Sequence, residues 1–152
     1  MKKINLPSLI FVLSALSVMA ISFWTRTSLP IPRESSRLLG MFVFLSGMTL
    51  FTWAGLYLKC AFYGSVEPET GQIIKDGPYR WVRHPLYLSM IVSLAGFSLM
   101  VRSFWGIVSV FALFLPSLIY RAKLEEQALD HKYGSKWQKY ARKTAFLVPF
   151  IY

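Results

Sequence analysis

What most constrains this chain is its division into long apolar blocks, each too continuous for the surface of a water-soluble domain. The first runs from about Leu6 to Trp24, the second from about Leu38 to Tyr63, the third from Leu86 to Val101 and the fourth from Phe104 to Tyr120. The first two are long enough to cross a bilayer as helices, the second with some tilt. The last two hold 16 and 17 residues, near the lower limit for spanning. Only Arg102 and Ser103 separate them. A link that short forces an antiparallel hairpin. The expectation is an all-α, multi-pass membrane protein: one domain over residues 1–152 with four transmembrane helices.

The polar stretches punctuate this pattern. Thr25 to Arg37 contains Pro30 and Pro32, which break a helix and make the stretch a loop. Ser65 to Tyr79 holds Glu67, Glu69, Lys75 and Asp76, with Gly71, Gly77 and Pro78 as turn formers. Gly40, Gly47, Ala54 and Gly55 in the second block allow close helix packing, and Pro116 predicts a kink in the fourth. Arg121 to Lys143 is charged, with Leu124, Ala128, Tyr133, Trp137 and Tyr140 on an approximate stripe that Gly134 interrupts. That pattern predicts an interfacial helix broken at the glycine. The first block is read as a spanning helix rather than a signal sequence, because it ends on Phe23 and Trp24 without a small-residue cleavage site.

Charge and cysteine usage exclude several classes. The net charge of +10 sits at the borders of the apolar blocks, where it fixes orientation and meets anionic lipid, so nucleic acid is not an expected partner. One cysteine, Cys60, excludes an internal disulfide, and two distant histidines, His84 and His131, predict no metal site. Cys60 reads as inert or as a juxtamembrane lipidation site. Of the 17 Lys and Arg residues, Arg26, Arg33, Arg37 and Arg102 fall on one side and the other thirteen on the opposite side. The bias places both termini and the central polar stretch in the cytoplasm.

Chemistry concentrates in two segments on that side. Pro85 suits the first position of a helix, which puts Arg83 and His84 at a helix start. Free backbone N–H groups there favour an anion, and a guanidinium can clasp a carboxylate with two hydrogen bonds. Tyr79, Trp81 and Tyr87 offer flat faces for adenine or a sulfonium cation; Trp81 and Arg80 equally suit a membrane interface. Glu125 and Glu126 read in two ways. They are solvated charges paired with Arg121, Lys123 or Arg142, or acceptors for a ribose diol and attractors of a cation. Arg142 and Lys143 read as anchors for lipid phosphates. No glycine-rich phosphate cradle and no nucleophile–base–orienter arrangement is visible.

Two motifs carry a family resemblance. Gly77-Pro78-Tyr79 followed by Arg83-His84-Pro85-Leu86-Tyr87 resembles the G-x-Y…R-H-P-x-Y of the isoprenylcysteine carboxyl methyltransferase and phospholipid methyltransferase families. Glu125-Glu126-Gln127-Ala128-Leu129 with Tyr133-Gly134, Trp137 and Tyr140 is similar to their E-E-x-x-L…F-G-x-x-Y-x-x-Y, and Leu147-Val148-Pro149-Phe150-Ile151 to their closing segment. The chain departs from the pattern at Ser89, where many relatives have Gly, at Gly71, where many have His, and in lacking a Val-Pro-Arg ending. The resemblance implies an S-adenosylmethionine-dependent methyltransferase acting on a lipid-like or prenylated membrane substrate. It implies a cofactor held between the Arg-His-Pro helix start, the Glu-Glu segment and the C-terminal segment. Arg83 and Glu126 are then the candidate catalytic residues. Gly77, Pro78, Tyr79, His84, Pro85, Tyr87 and Glu125 are candidates for the cofactor, and Arg142 and Lys143 for anion contact. The competing readings are an NADPH-dependent membrane reductase of sterol-reductase type, which this family resembles at its C-terminal end, and a non-catalytic lipid-binding protein.

Overall fold

The computed structural model describes residues 6–26, 28–63 and 73–148, with side chains omitted for 59–63. The expectations attached to Glu67, Glu69, Gly71, the Cys60 side chain and the segment from Pro149 onward lie outside the described residues. Helix α1 covers Leu6–Trp24 and α2 covers Arg33–Tyr63. A single 3₁₀ turn, Gly77–Arg80, leads into α3, Pro85–Met100. Helix α4, Phe104–Ser109, continues through a π-turn, Val110–Phe114, into α5, Leu115–Tyr133, and α6 covers Ser135–Ala141. No sheet occurs among the described residues. Three helices are long and apolar enough to cross a membrane: Leu6–Trp24, Arg33–Leu58 and the rod Phe104–Tyr133. The fourth, α3, has 16 residues, which at 1.5 Å per residue is roughly 24 Å, shorter than a hydrocarbon core of about 30 Å.

The expected boundary at Arg121 is not a break. The rod runs on to Tyr133, because the residues after Tyr120 change the polarity of the helix surface but contain no helix breaker before Gly134. There the chain turns with φ of +50°, a conformation suited to glycine. The expected interfacial helix 121–143 is therefore the polar end of the fourth rod plus the short α6. The Pro116 kink takes the form of the π-turn. Leu115 N–H bonds back to the Val110 carbonyl, an i−5 bond that makes room beside the proline ring, whose nitrogen donates nothing. Helix α2 starts at Arg33, five residues earlier than the apolar block, directly after Pro32.

Helix α2 packs along α3 through small residues. A Cβ added at Gly40 would collide with the Met100 backbone, one at Gly96 with the Phe44 backbone and one at Gly47 with Ser93. Gly55, by contrast, has nothing nearby. Between apolar helices in an apolar solvent there is little hydrophobic drive, so close backbone approach and hydrogen bonds hold the bundle. Hydroxyl pairs supply the latter. Ser14 meets Ser117 at 2.7 Å, Ser22 meets Ser98 at 2.9 Å, Thr25 meets Ser103 at 2.6 Å, and Ser36 donates to the Leu99 carbonyl at 2.6 Å. A core of Val18, Tyr87, Ile91, Val110, Phe114, Leu118, Ala122 and Leu147 joins α1, α3 and the rod. Large apolar side chains such as Phe42 (72% exposed) and Phe111 (54%) face outward, as a lipid-facing surface requires. The link is three residues, Val101 to Ser103, one longer than expected because α3 ends at Met100, and Ser103 caps α4 by accepting from Gly106 N–H at 2.8 Å.

The glycine contacts give a direct comparison. Gly96→Val should lower the thermal midpoint in detergent by the equivalent of about 1–3 kcal/mol, because the α2 backbone cannot yield without opening the bundle. Gly55→Ala, in open space within a helix, should be neutral or stabilising by up to about 1 kcal/mol. Equal behaviour of the two variants in a melting experiment would mean that α2 and α3 are not packed through Gly96.

Candidate functional site

The chain enters α3 through a segment held by the C-terminal residues. Val82 pairs with Ala145 in a single parallel bridge. Arg83 N–H donates to the Ala145 carbonyl at 2.9 Å and Ala145 N–H donates to the Trp81 carbonyl at 3.1 Å. Below this bridge Tyr140 O–H donates to the Tyr79 carbonyl at 2.7 Å, and Thr144 O–H donates to the Tyr140 carbonyl at 2.9 Å. Gly77 (φ +58°) lies against the Tyr57 ring and opens the 3₁₀ turn, with Pro78 as its second residue. Its positive φ and the missing Cβ let the turn sit under α2 and bury Pro78 and Tyr79. The segment 142–148 is thus strapped across the start of α3.

The guanidinium of Arg83 is the hub of the strap. Nε donates to Glu126 Oε1 at 2.6 Å, while Nη1 donates to the carbonyls of Ala141 at 2.5 Å and Thr144 at 2.7 Å. His84, only 7% exposed, sits with Nε2 3.2 Å from the same Glu126 Oε1. Its ring stacks on Tyr87 at 5.5 Å and meets the edge of Phe146 at 5.2 Å. One turn away, Tyr87 O–H donates to Glu125 Oε1 at 2.6 Å and accepts from Arg121 Nε at 2.8 Å, while Arg121 Nη1 donates to Ser8 Oγ at 2.7 Å. The two adjacent glutamates therefore reach different partners: Glu126 binds the Arg83–His84 pair and Glu125 the Tyr87–Arg121 pair. Among the described residues the second oxygen of each carboxylate takes no hydrogen bond. Beyond Glu126, a groove of about 390 Å³ opens between α5 and α6, lined by Lys123, Glu126, Gln127, Asp130, Trp137, Gln138 and Ala141. It is an open, shallow groove rather than an enclosed cavity.

The structure thus brings together Arg83, His84, Pro85, Tyr87, Glu125 and Glu126, which lie about forty residues apart in the chain. Gly77, Pro78 and Tyr79 support this group from beneath rather than lining the groove. Arg142 and Lys143 are exposed, and their side chains make no hydrogen bond among the described residues. Arg83 differs most from its expected use: the fork anticipated for a ligand carboxylate is largely occupied by Glu126 and two backbone carbonyls. Thr144 and Phe146 are neighbours of the group that sequence reasoning did not name, and Arg121 is one that it named only as a charge partner of the glutamates. The i,i+4 spacing of Arg121 and Glu125 carries a signal for that pair, 3.5 Å apart. The carbonyls of Ala141 and Thr144 carry none, because any residue presents the same group.

The strap has measurable consequences. Lys at position 83 cannot reach Glu126 and two carbonyls at once. Arg83→Lys should cost about 2 kcal/mol in local opening, and trypsin should cleave after Arg142 or Lys143 about 30-fold faster in detergent. Unchanged cleavage would show that Arg83 does not hold the segment. The strap is also sensitive to alkali. Burial pushes the Tyr140 hydroxyl up to about 12, and burial with the nearby Glu125 charge pushes Tyr79 up to about 12. A raised folded value means that the neutral form is favoured, so this stability is complete below pH 10 and lost as pH rises through about 12. Tyr140→Phe should remove most of Tyr140's share of the alkaline step in a pH-dependent melting series.

Comparison with known proteins supports a family assignment. The chain is 32% identical over 106 residues to a nickel-cobalt-cadmium resistance protein of Alcaligenes xylosoxydans xylosoxydans, covering 68% of this chain and 46% of that protein. It is 28% identical over 91 residues to the mouse Delta(14)-sterol reductase, covering 58% of this chain and 22% of that enzyme. It is 29% identical over 87 residues to the Drosophila melanogaster lamin-B receptor, covering 55% and 12%. The chain thus spans less than half the length of these curated relatives. The profile of the phospholipid methyltransferase family matches residues 35–136, two thirds of the chain, from the start of α2 into α6 and including both the Arg83-His84-Pro85 and Glu125-Glu126 segments. This helical membrane chain belongs to the phospholipid methyltransferase family.

Proposed function

We propose that the protein is an S-adenosylmethionine-dependent methyltransferase acting on a lipid-like or prenylated substrate that approaches from the bilayer. The observation that carries this reading is the convergence of Arg83, His84, Glu125 and Glu126, with Glu126 lining an open groove, within a chain of the phospholipid methyltransferase family. The groove suits such a cofactor chemically. Glu126 and Asp130 offer carboxylates to a ribose diol and a positive sulfonium, Gln127 and Gln138 offer amides, and Trp137 offers an aromatic edge. When bound, S-adenosylmethionine supplies an already activated methyl group.

The residues around it then act mainly by positioning. Arg83 and His84 hold Glu126 by one oxygen, Oε1, and leave Oε2 without a hydrogen bond among the described residues. An amine acceptor would give its proton to that oxygen, whereas a carboxylate acceptor is ionised at neutral pH and needs no base. Arg83 works chiefly through Glu126 and the strap. Glu125, set by Tyr87 and Arg121, does not line the groove and would contribute only negative charge to the surroundings of a cationic cofactor. In this reading α3 is the fourth spanning helix and both termini lie in the cytoplasm, in keeping with the thirteen-to-four cation bias.

The likeness to Delta(14)-sterol reductase favours a second reading, an NADPH-dependent reductase. Lys123 is the one cation lining the groove, against Glu126 and Asp130. A 2′-phosphate needs more positive charge than that. The deciding experiment is titration of the detergent-purified chain with S-adenosylhomocysteine, S-adenosylmethionine and NADPH. The adenosyl ligands should bind and NADPH should not; tighter NADPH binding reverses the ranking. Glu126→Gln should reduce methyl transfer from labelled S-adenosylmethionine to a lipid extract by roughly 30- to 1000-fold without unfolding, as expected for loss of a charged contact in a partly dry site. Arg80→Ala and Cys60→Ala should be mild. Near-normal turnover of Glu126→Gln would make that carboxylate a structural group only.

A further inference from the structure

The four cations on the minority side of the charge count are not scattered. Arg26 after α1, Arg33 and Arg37 in the first turns of α2, and Arg102 in the α3–α4 link line one groove of about 390 Å³. Glu34 is its only acidic wall residue, which leaves a net charge of +3. Among the described residues none of the four arginines forms an ion pair. Like charges gathered this way repel unless something negative lies between them. The start of α2 adds its unpaired backbone N–H groups and the positive end of a 31-residue helix dipole.

Arg102 makes the groove more than a set of surface cations. Among the described residues it is the one non-glycine residue in the left-handed region, with φ of +61°. A side chain with a Cβ is strained there, and glycine would make the same turn without strain. The conformation is fixed on both sides, since Leu29 N–H donates to the Arg102 carbonyl at 2.9 Å and Arg102 Nη2 donates to the Leu29 carbonyl at 3.1 Å. Its Nε is buried with no partner among the described residues. A buried donor without an acceptor is costly, and it adds to the strain already held at this residue.

We propose that this groove is a binding site for the phosphate of a net-anionic lipid headgroup. Several guanidinium forks and a helix N-terminus match phosphate chemistry. Position and walls favour a lipid over free phosphate. The groove lies where the ends of α1 and α3 and the starts of α2 and α4 meet, at the boundary between apolar and polar chain. Phe23, Met100 and Val101 give it an apolar side on which the first part of an acyl chain can lie. It sits at the end of α3 opposite Arg83, roughly 24 Å away along a 16-residue helix, so it is separate from the methyl-transfer site. Holding Arg26, Arg33, Arg37 and Arg102 together would tie α1, α2 and the α3–α4 link at this end of the bundle.

The test uses the full chain, purified in a neutral detergent and stripped of lipid, with no dependence on catalysis. Phosphatidic acid, phosphatidylglycerol, phosphatidylcholine and inorganic phosphate are added separately, and retention is read by native mass spectrometry alongside thermal melting. The anionic lipids should be retained and raise the melting point, while phosphatidylcholine and inorganic phosphate should do neither. Arg33 and Arg37 are exposed, so the double variant Arg33→Gln/Arg37→Gln should fold and should bind anionic lipid on the order of 10-fold more weakly or worse. Lys139→Gln on α6, which also removes a positive charge, should leave binding unchanged. Equal loss in Lys139→Gln would show diffuse attraction rather than a site. Unchanged binding by the arginine double variant, or stabilisation by inorganic phosphate equal to that by phosphatidic acid, would overturn the lipid assignment. If the double variant proves unstable without lipid, Arg26→Gln, which alters only the α1 end of the groove, gives the same reading.

Discussion

The Arg83 guanidinium is tied to three parts of the chain at once: Glu126 on the rod, the end of α6 at Ala141, and the strap at Thr144. Each of those groups would otherwise be a problem. The carbonyls at the end of α6 lack helical partners, and a carboxylate half shielded from water needs a counter-charge. One planar fork satisfies all of them, and a flexible ammonium could not. The order of His84, Tyr87 and Phe146 follows, because the strap that Arg83 holds is what brings Phe146 against the histidine. The candidate site is in this sense a by-product of closing the C-terminal end of the bundle.

Elsewhere the bundle is held by contacts that would be weak in water. Serine pairs and glycine contacts succeed because the apolar surroundings offer no competing partner. This explains the division of labour along α3. Its middle and far end carry the small residues that admit α2, namely Ser89, Ser93 and Gly96. Its start, at the polar boundary, carries the charged and aromatic groups. A short helix suffices, since both of its ends are anchored by side chains, by Arg83 and Tyr87 at one end and Arg102 at the other.

The sequence made the helices legible because length and apolarity alone specify long apolar helices, and made the meeting of two polar segments legible because an antiparallel helical hairpin lies between them. Three features were hidden for physical reasons. The rod beyond Tyr120 was read as a new element, since hydropathy changes there while helix propensity does not. Two of the Arg83 guanidinium's three acceptors are hidden, because they are backbone carbonyls, which leave no trace in residue identity. The serine pairs across helices were invisible, because a hydroxyl's partner depends on rotation about the helix axis, and helices apolar on most faces show no periodicity to define it. The arginines of the minority side were counted individually for orientation, and only the fold shows that residues 26 and 102 share a groove.

The two grooves then differ in a way that follows from their surroundings. At the Arg83 end, the cations facing inward are neutralised by glutamates and carbonyls, and the remaining open wall is acidic, with Glu126 and Asp130. At the Arg102 end, guanidinium groups outnumber carboxylates four to one and a buried donor is left over. A cationic cofactor is favoured at the first and repelled at the second; an anionic headgroup has the opposite preference. Because α3 runs between the two, displacement at its Met100 end can be felt at Pro85 only as a rigid shift of one short helix. Tight glycine contacts with α2 oppose that shift. Lipid bound at the far end would therefore act by holding α1, α2 and the α3–α4 link in place, fixing the frame against which Arg83 and Glu126 are aligned.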